Sequence, residues 1–483
     1  MIPEKSDLPE VARSIRKSIT GIRGLDEITN GGLPSGRTVL ISGGPGCGKT
    51  LLGMEFLYRG ATEQDEPGVF VSFEESPGEL VKNVRSFGWD LDALIEEQRL
   101  FFEHIQVESE EILETGAYDL DALFIRLMNA VQTVGARRIV LDTVESLFSS
   151  LPNEAVLRSE LRRLFRWLKS QGLTALITGE RGEKTLTRYG LEEYVSDCVI
   201  ELTHRTDEEV CTRRLQVLKY RGSSHETNKF PFLIDENGFS VIPITSVGLA
   251  HEASEEHVST GIEGLDGMLD GKGFFRGSSV LVNGMAGTGK TTMAAHFAEA
   301  CCVRGERCLY ISFEESGKQI LRNMGSIGRE LQPHLDSGHL RMLSERPTKY
   351  GLESHLLRLF QQVDSFQPQA VLIDPISSLT RNGQETEVQS ILVRFIDFLK
   401  IQGITCLCTN LMNGSGEQAL ESTSMGISSI MDTLLLLRNI ETRGELKRTL
   451  FFIKARGMKH SNQVREFHIS DEGIKLVDFL SDS

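Results

Sequence analysis

Two copies of one glycine-rich stretch constrain this chain more than anything else in it: Gly43-Gly44-Pro45-Gly46-Cys47-Gly48-Lys49-Thr50 and Gly284-Met285-Ala286-Gly287-Thr288-Gly289-Lys290-Thr291. Each fits G-x-x-x-x-G-K-[ST], each follows a short apolar run (Thr38-Val39-Leu40-Ile41 or Ser279-Val280-Leu281-Val282), and each precedes a helical pattern. In that strand–loop–helix context the pattern has a mechanism. Glycines let backbone N–H groups converge on a phosphate, and a helix N-terminus adds positive potential there. Lys49 and Lys290 are placed to reach β- and γ-phosphates, and Thr50 and Thr291 to hold Mg²⁺. A glycine-rich turn before a helix is the bland alternative, and duplication in context weakens it. We expect ATP and Mg²⁺ at two sites.

The duplication extends beyond these loops. Thr20-Gly21-Ile22-Arg23-Gly24-Leu25-Asp26 matches Thr260-Gly261-Ile262-Glu263-Gly264-Leu265-Asp266, and Val71-Ser72-Phe73-Glu74-Glu75-Ser76 matches Ile311-Ser312-Phe313-Glu314-Glu315-Ser316. The offset is 240 residues from Thr20 to Thr260 and 241 from Gly43 to Gly284, so the chain reads as tandem copies of one fold. The expected domains are 20–248 and 249–483, preceded by an N-terminal arm over 1–19, with the seam near Val247 to Val258. Strand-like runs at Val39–Ser42, Gly68–Phe73, Arg138–Asp142, Thr174–Thr178 and Cys198–Leu202 alternate with helical stretches such as 157–170. Ala370–Asp374 and Ile404–Thr409 repeat the order. The predicted class is α/β: two P-loop domains, each a mostly parallel sheet flanked by helices.

Three further signals recur. Arg138–Asp142 and Ala370–Asp374 each end in a carboxylate, which beside a P-loop would position Mg²⁺; an Asp that merely caps the next segment is the alternative. Glu74-Glu75 and Glu314-Glu315 leave another strand, where a carboxylate can orient an attacking water or hydroxyl. Adjacent residues diverge there, so one of each pair should face the γ-phosphate; two solvated glutamates are the alternative. Lys219-Tyr220-Arg221-Gly222-Ser223-Ser224-His225 and Lys454-Ala455-Arg456-Gly457-Met458-Lys459-His460 share K-x-R-G-x-x-H. On a strand the Lys and Arg share a face and suit a triphosphate, delivered to a neighbouring subunit as a finger unless they form only a solvated basic edge.

One feature distinguishes the copies. Glu421 to Asp432 is hydroxyl-rich and includes Ser428-Ser429, where the first copy has Glu193-Tyr194. A capped turn or a phosphoacceptor segment would read this way.

Composition adds exclusions. A net charge of −16 argues against a protein that grips nucleic acid, and no stretch reaches the length of a membrane span. None of the eight cysteines forms C-x-x-C, so reduced thiols in a cytoplasmic protein are expected.

Together these motifs resemble the KaiC family, the ATPase and autokinase of the circadian clock, from about Ser18 to about Asp478. The resemblance implies two RecA-like domains. Lys49, Thr50, Glu74, Glu75 and Asp142 would serve an ATPase site, and Lys290, Thr291, Glu314, Glu315 and Asp374 an autokinase site. Glu74 and Glu314 would be general bases, Ser428 and Ser429 phosphoacceptors, and Thr423 the auxiliary threonine. It further implies a homohexamer with nucleotide at subunit interfaces, completed by Lys219, Arg221 and His225 in one ring and by Lys454 and Arg456 in the other. Only Ile474 to Ser483 follow the last motif, where clock members carry the tail that engages KaiA, so a KaiB-like partner is expected more readily than a KaiA-like one. The leading expectation is a double-ring ATPase and serine autokinase in timing or stress signalling. The alternatives are a RecA-like nucleic-acid-dependent ATPase and a nucleotide-gated scaffold.

Overall fold

The computed structural model describes residues 15–105, 121–148, 154–182, 185–188, 196–207, 210–242, 254–346, 351–382, 385–412, 427–442 and 444–477. Most of the N-terminal arm, the seam residues 247–253, Thr423, and the first-copy counterparts Glu193 and Tyr194 lie outside them. The chain divides into two compact units, Met1–Thr245 and Ser246–Ser483.

In the first unit a two-stranded pair, β1 (Lys17–Ser18) and β2 (Leu33–Pro34), leads into the main sheet. That sheet comprises β3 (Thr38–Gly43), β4 (Gly68–Ser72), β5 (Leu100–His104), β6 (Arg138–Asp142), β7 (Thr174–Glu180), β8 (Cys198–Asp207), β9 (Val210–Tyr220), β10 (Lys229–Asp235) and β11 (Gly238–Val241). The spatial order is β11-β10-β9-β8-β3-β7-β6-β4-β5. From β8 to β5 neighbouring strands run parallel, and from β8 to β11 they are antiparallel.

The apolar runs are continuous because both faces are covered. Val39, Ile41, Phe70, Val140 and Leu176 pack into one core with the P-loop helix Lys49–Glu63. Leu40, Val69, Val71, Ile139, Leu141, Ala175 and Ile177 pack into the other, against the helices Asp121–Val134 and Glu154–Ser170. That strict alternation is the period of two that a strand imposes. Arg138, fully buried at the start of β6, donates to the Glu66 carboxylate at 2.7 Å and to the Phe56 and Ile19 carbonyls at 2.8 and 2.6 Å, so its charge is paired.

The second unit repeats the plan. A pair, β12 (His257–Val258) and β13 (Phe274–Phe275), precedes β14 (Ser279–Gly284), β15 (Cys308–Ser312), β16 (Leu340–Ser344), β17 (Ala370–Asp374) and β18 (Thr405–Leu411). Then follow β19 (Thr433–Thr442), β20 (Glu445–Ala455), β21 (Arg465–Ser470) and β22 (Gly473–Val477). Their order is β16-β15-β17-β18-β14-β19-β20-β21-β22, parallel from β16 to β19 and antiparallel beyond. Both units are thus mostly parallel sheets sandwiched by helices, as RecA-like P-loop domains are.

Two details differ from the sequence reading. The run expected to stop at Leu202 continues to Asp207, because the β8–β9 hairpin pairs as far as Asp207 with Val210. The strands carrying K-x-R are also irregular and interior to the sheet. Val199 faces Lys219 while Ile200 faces Val217, which leaves Leu218 as an extra residue; Ile453 is extra in the same way between Lys454 and Phe452. Lys219 and Lys454 lie on strands, whereas Arg221 and Arg456 fall just past their ends. A regular strand placing both cations on one face is therefore replaced by a bulge and a strand end. The edge-strand alternative stays open for these residues, because β9 pairs with β10 only at Arg214, Leu215 and Gln216, and β20 with β21 only at Arg448, Thr449 and Leu450, short of Lys219 and Lys454.

Candidate functional site

Each P-loop is a turn from the end of a buried strand into a helix, and its glycines are there for different reasons. Gly48 and Gly289 sit at φ of 101° and 97°, where side-chain-bearing residues are strained. A Cβ at Gly48 would also lie 2.7 Å from Ile234 Cδ1, and one at Gly289 3.1 Å from Ile469 Cδ1. Gly43 faces inward, where a Cβ would meet Cys47 Sγ at 2.4 Å and the Leu202 carbonyl at 2.7 Å. Gly44, Gly46 and Gly287 face open space, with nothing within 4 Å of an added Cβ. Pro45, Met285 and Ala286 are exposed along the same rim, while Cys47 and Thr288 are buried beneath it.

Neither P-loop helix has a side-chain cap at its N-terminus, so no side chain competes for its first-turn N–H donors. Lys49 Nζ donates to the Gly43 and Gly44 carbonyls at 2.9 and 3.0 Å, and Lys290 Nζ to those of Gly284 and Met285 at 2.8 and 2.7 Å. Burial pulls the Lys290 ammonium below its usual range, and the Asp374 and Glu314 charges oppose that shift. An open rim, uncapped amides and an ammonium held at the loop suit a phosphate chain.

The carboxylates converge because β4, β6 and β7, and likewise β15, β17 and β18, end together. Ser72 is level with Asp142 and Ser312 with Asp374. Asp142, 7% exposed, accepts from the Thr178 hydroxyl, and Thr50 also hydrogen-bonds to it. Burial raises its pKa against those bonds and the Lys49 charge. Asp374 accepts from the Thr409 hydroxyl, and from Tyr310 Oη at 2.9 Å. Hydroxyl and carboxylate oxygens are the donor set that a hard cation such as Mg²⁺ takes, and Thr50 with Asp142 fits it.

The paired glutamates part company in both copies. Glu74 Oε1 accepts from Thr143 Oγ1 at 3.1 Å and Ser146 Oγ at 2.6 Å; Glu314 accepts from Ser378 Oγ at 2.8 Å. Glu75 and Glu315 turn toward Asn83 and Asn323, at 3.3 and 3.1 Å. Burial first, and then the neighbouring Asp142 or Asp374 charge, push both of these second carboxyls up. The divergence has a local cause. Glu79 accepts from the Ser76 N–H at 3.1 Å and Gln319 from that of Ser316 at 2.9 Å, so a capped helix begins immediately after each pair.

The K-x-R cations are not beside their own P-loop. Lys454 Nζ donates to the Ser428 carbonyl and Arg456 Nη2 to the Ser429 carbonyl, each at 2.7 Å, and Lys400 Nζ reaches the Ile430 carbonyl at 3.1 Å. Three cations thus hold three consecutive carbonyls of the serine turn. In the first domain Arg221 N–H bonds the Asp197 carbonyl at 2.8 Å, and His225 stacks on Tyr220 with centroids 6.1 Å apart. Sequence reasoning missed Thr178, Thr409, Tyr310, Ser146, Ser378 and Lys400. The repeat could have found the threonines and serines, since each recurs at a matching place in the other copy.

Among the described residues seven cysteines are buried free thiols, and no helix is long and apolar enough to cross a membrane.

Comparison with known proteins agrees with this arrangement. The family described as "ATPase: KaiC" matches twice, over residues 18–246 and 258–480. The circadian clock protein KaiC2 of Synechocystis sp. is 56% identical over 465 residues, covering 96% of this chain and 82% of the relative. The circadian clock oscillator protein KaiC of Synechococcus elongatus is 39% identical over 469 residues, covering 96% and 90%. The circadian clock oscillator protein KaiC 1 of Synechocystis sp. is 36% identical over 481 residues, covering 99% and 92%. With two family matches that span nearly its whole length, the chain belongs to the KaiC family of ATPases.

Proposed function

We propose that both domains bind Mg·ATP, that both hydrolyse it, and that the second transfers a γ-phosphoryl group to Ser428 or Ser429 of an adjacent protomer. The observation that carries this reading is a separation within the second domain. In the β14–β19 pair Val280 is level with Thr433 and Gly284 with Leu437. The P-loop leaves one end of β14, and the serine turn enters β19 at the other. A strand the length of β14 (Ser279–Gly284) spans roughly 17 Å at about 3.3 Å per residue. Phosphoryl transfer needs its reacting atoms about 3 Å apart, so a protomer's own triphosphate is out of reach of its own serines. A second protomer solves the problem, because Lys454 and Arg456 travel with the serine turn and would arrive at the neighbour's γ-phosphate with it.

In this reading Glu314 takes the serine proton in the second domain and Glu74 orients water in the first, with Glu75 and Glu315 beside them. Thr50 with Asp142, and Thr291 with Asp374, would hold Mg²⁺, which neutralises charge on the β- and γ-phosphates. Lys219, Arg221 and His225 complete the neighbouring first-domain site. A homohexamer, a KaiB-like partner, a cytoplasmic location and a role in timing or stress signalling rest on the family likeness.

A mixing experiment tests the transfer. A Lys290→Ala chain with intact serines is combined with a Ser428→Ala/Ser429→Ala chain, each of distinguishable mass, in Mg·ATP. Phosphate should appear on the Lys290→Ala chain only in the mixture. A blank mixture, or wild type labelled at equal rate when dilute and monomeric, would refute transfer between protomers.

A further inference from the structure

The two domains differ on a helix face that none of the motifs covers, beside the Arg221 end of the K-x-R motif. In the first, the helix Glu154–Ser170 buries Leu161, Leu164, Phe165 and Leu168 and turns Arg162, Arg166 and Lys169 outward at i, i+4 and i+7. These three side chains and Arg221 line a cleft of about 480 Å³ with Phe165 in its wall and Asp197 as its one carboxylate among the described residues. The aligned positions of the second domain are Val393, Asp397 and Lys400. Two of the three helix cations are therefore particular to the first domain.

Lys169 has a structural explanation: it lies in the last turn of its helix, where a cation is favourable, and 3.7 Å from Asp197. Arg162 and Arg166 do not. Like charges at i, i+4 destabilise a helix by a few tenths of a kcal/mol. Asp197 is already shared between Lys169 and Arg37, the latter at 3.4 Å. Arg166 Nε donates to the Arg162 carbonyl at 3.2 Å, which leaves its terminal guanidinium nitrogens for another acceptor. The whole chain carries 52 cationic against 68 acidic residues, yet among the described residues the cleft holds four cations to one carboxylate. Its size falls in the range of small-molecule sites, roughly 300–1,000 Å³.

We propose that this cleft binds a chain of phosphates, with Arg162 and Arg166 as its specificity-determining residues. Planar guanidinium groups donate in pairs to phosphate oxygens, which a single ammonium cannot do. The phosphates have two possible sources: the triphosphate held by an adjacent protomer, which rests on the arrangement between protomers proposed above, or a free phosphate-bearing ligand.

The probe is inorganic tripolyphosphate, titrated calorimetrically into a Lys49→Ala/Lys290→Ala chain so that neither P-loop contributes. We expect saturable binding near one equivalent, at least tenfold weaker after adding Arg162→Gln/Arg166→Gln and weakened by salt. Arg162→Lys/Arg166→Lys should retain charge but lose part of the affinity. Absent saturable binding, or affinity equal in the Gln variant with unchanged circular dichroism, would overturn the proposal. Assembly separates the sources. If Arg162→Gln/Arg166→Gln in the otherwise wild-type chain raises the ATP concentration needed to assemble, the neighbour's triphosphate is the ligand; assembly unchanged beside lost tripolyphosphate binding identifies a free ligand. Failure of ATP to bind either P-loop would sink the preceding reading alone, since this titration is made without the P-loop lysines.

Discussion

Tyr310 Oη donates a 2.9 Å hydrogen bond to Asp374 Oδ2, a contact the first domain cannot make because Phe70 stands at the aligned position. Tyr310 is fully buried, and burial together with the Asp374 charge holds its phenol well above the usual range, so it stays a donor. A buried hydrogen bond to a charged group is worth about 1.5–3 kcal/mol. Tyr310→Phe should therefore slow phosphate incorporation at Ser428 and Ser429 about tenfold, while ATP turnover in a Lys290→Ala background, where only the first domain works, is unaffected by the same change. Equal incorporation rates in quench-flow would mean that the hydroxyl does not tune the carboxylate.

The P-loop helix of each domain is tied to the terminal hairpin through one side chain, and the chemistry of that tie differs. Glu55 accepts the Phe239 N–H at 2.6 Å, whereas His296 Nε2 accepts the Ile474 N–H at 3.1 Å. Burial, then the nearby Arg329 charge, pull the His296 pKa down to about 4. Between pH 6.5 and pH 4 the unfolded chain binds a proton that the folded one refuses, so stability falls as pH drops through that window and levels off below it. The shift is worth about 3 kcal/mol. Hydrogen exchange of peptides from β21 and β22 should accelerate between pH 7.5 and pH 5, after correction for intrinsic rates, and His296→Gln should remove that part of the acceleration. Matching profiles for the two proteins would refute it.

Glu145 works in the opposite sense. Oε1 accepts the Glu180 N–H at 2.8 Å, while buried Oε2 has no hydrogen-bond partner among the described residues. Burial raises its pKa to about 7. The folded chain then holds a proton that the unfolded one releases, and the stability this contributes, full below pH 4.5, is lost as pH rises through 7. Ser377 occupies the position in the second domain and satisfies the equivalent amide, of Leu411, at 3.1 Å without a charge. Glu145→Gln keeps an acceptor and removes the ionisation. It should stabilise the first domain by about 3 kcal/mol at pH 8 and by less than about 1 kcal/mol at pH 5, read by denaturant-dependent exchange of β7 peptides. A constant difference across that range would place the cause elsewhere.

What was legible in the sequence was contiguous or repeated. Gly43 to Thr50 and Arg138 to Asp142 declare themselves because a phosphate loop and a buried strand are each built from neighbouring residues, and the second copy vouches for the first. The serine turn's cations were legible as a motif but not in their contacts, since Lys454 reaches Ser428 across a hairpin, 26 residues away in the chain. The bulges at Leu218 and Ile453 were invisible for a related reason: counting in twos along one strand carries no information about its partner's register. Arg162 and Arg166 passed unremarked because a charged helix face usually means only solvent, and the cleft that gives them meaning is assembled with Arg221 from a distant strand end.

The glycines of the first P-loop separate binding from folding. Gly48 has φ of 101° and would drive a methyl group to 2.7 Å from Ile234 Cδ1, so Gly48→Ala strains the backbone and the packing together. A cost of about 2 kcal/mol or more in the first domain follows from the two effects combined. Gly44 lacks both problems, because its φ is not left-handed and nothing lies within 4 Å of the added carbon. The space that methyl would enter is the open rim where a phosphate chain approaches the loop amides. Gly44→Ala should therefore unfold at the wild-type temperature without nucleotide, yet bind ATP at the first domain at least tenfold more weakly, measured by nucleotide titration in a Lys290→Ala background. If Gly44→Ala binds as tightly as its parent, the phosphates do not pass over Gly44, and the cradle must be rebuilt from the Gly46 side of the loop.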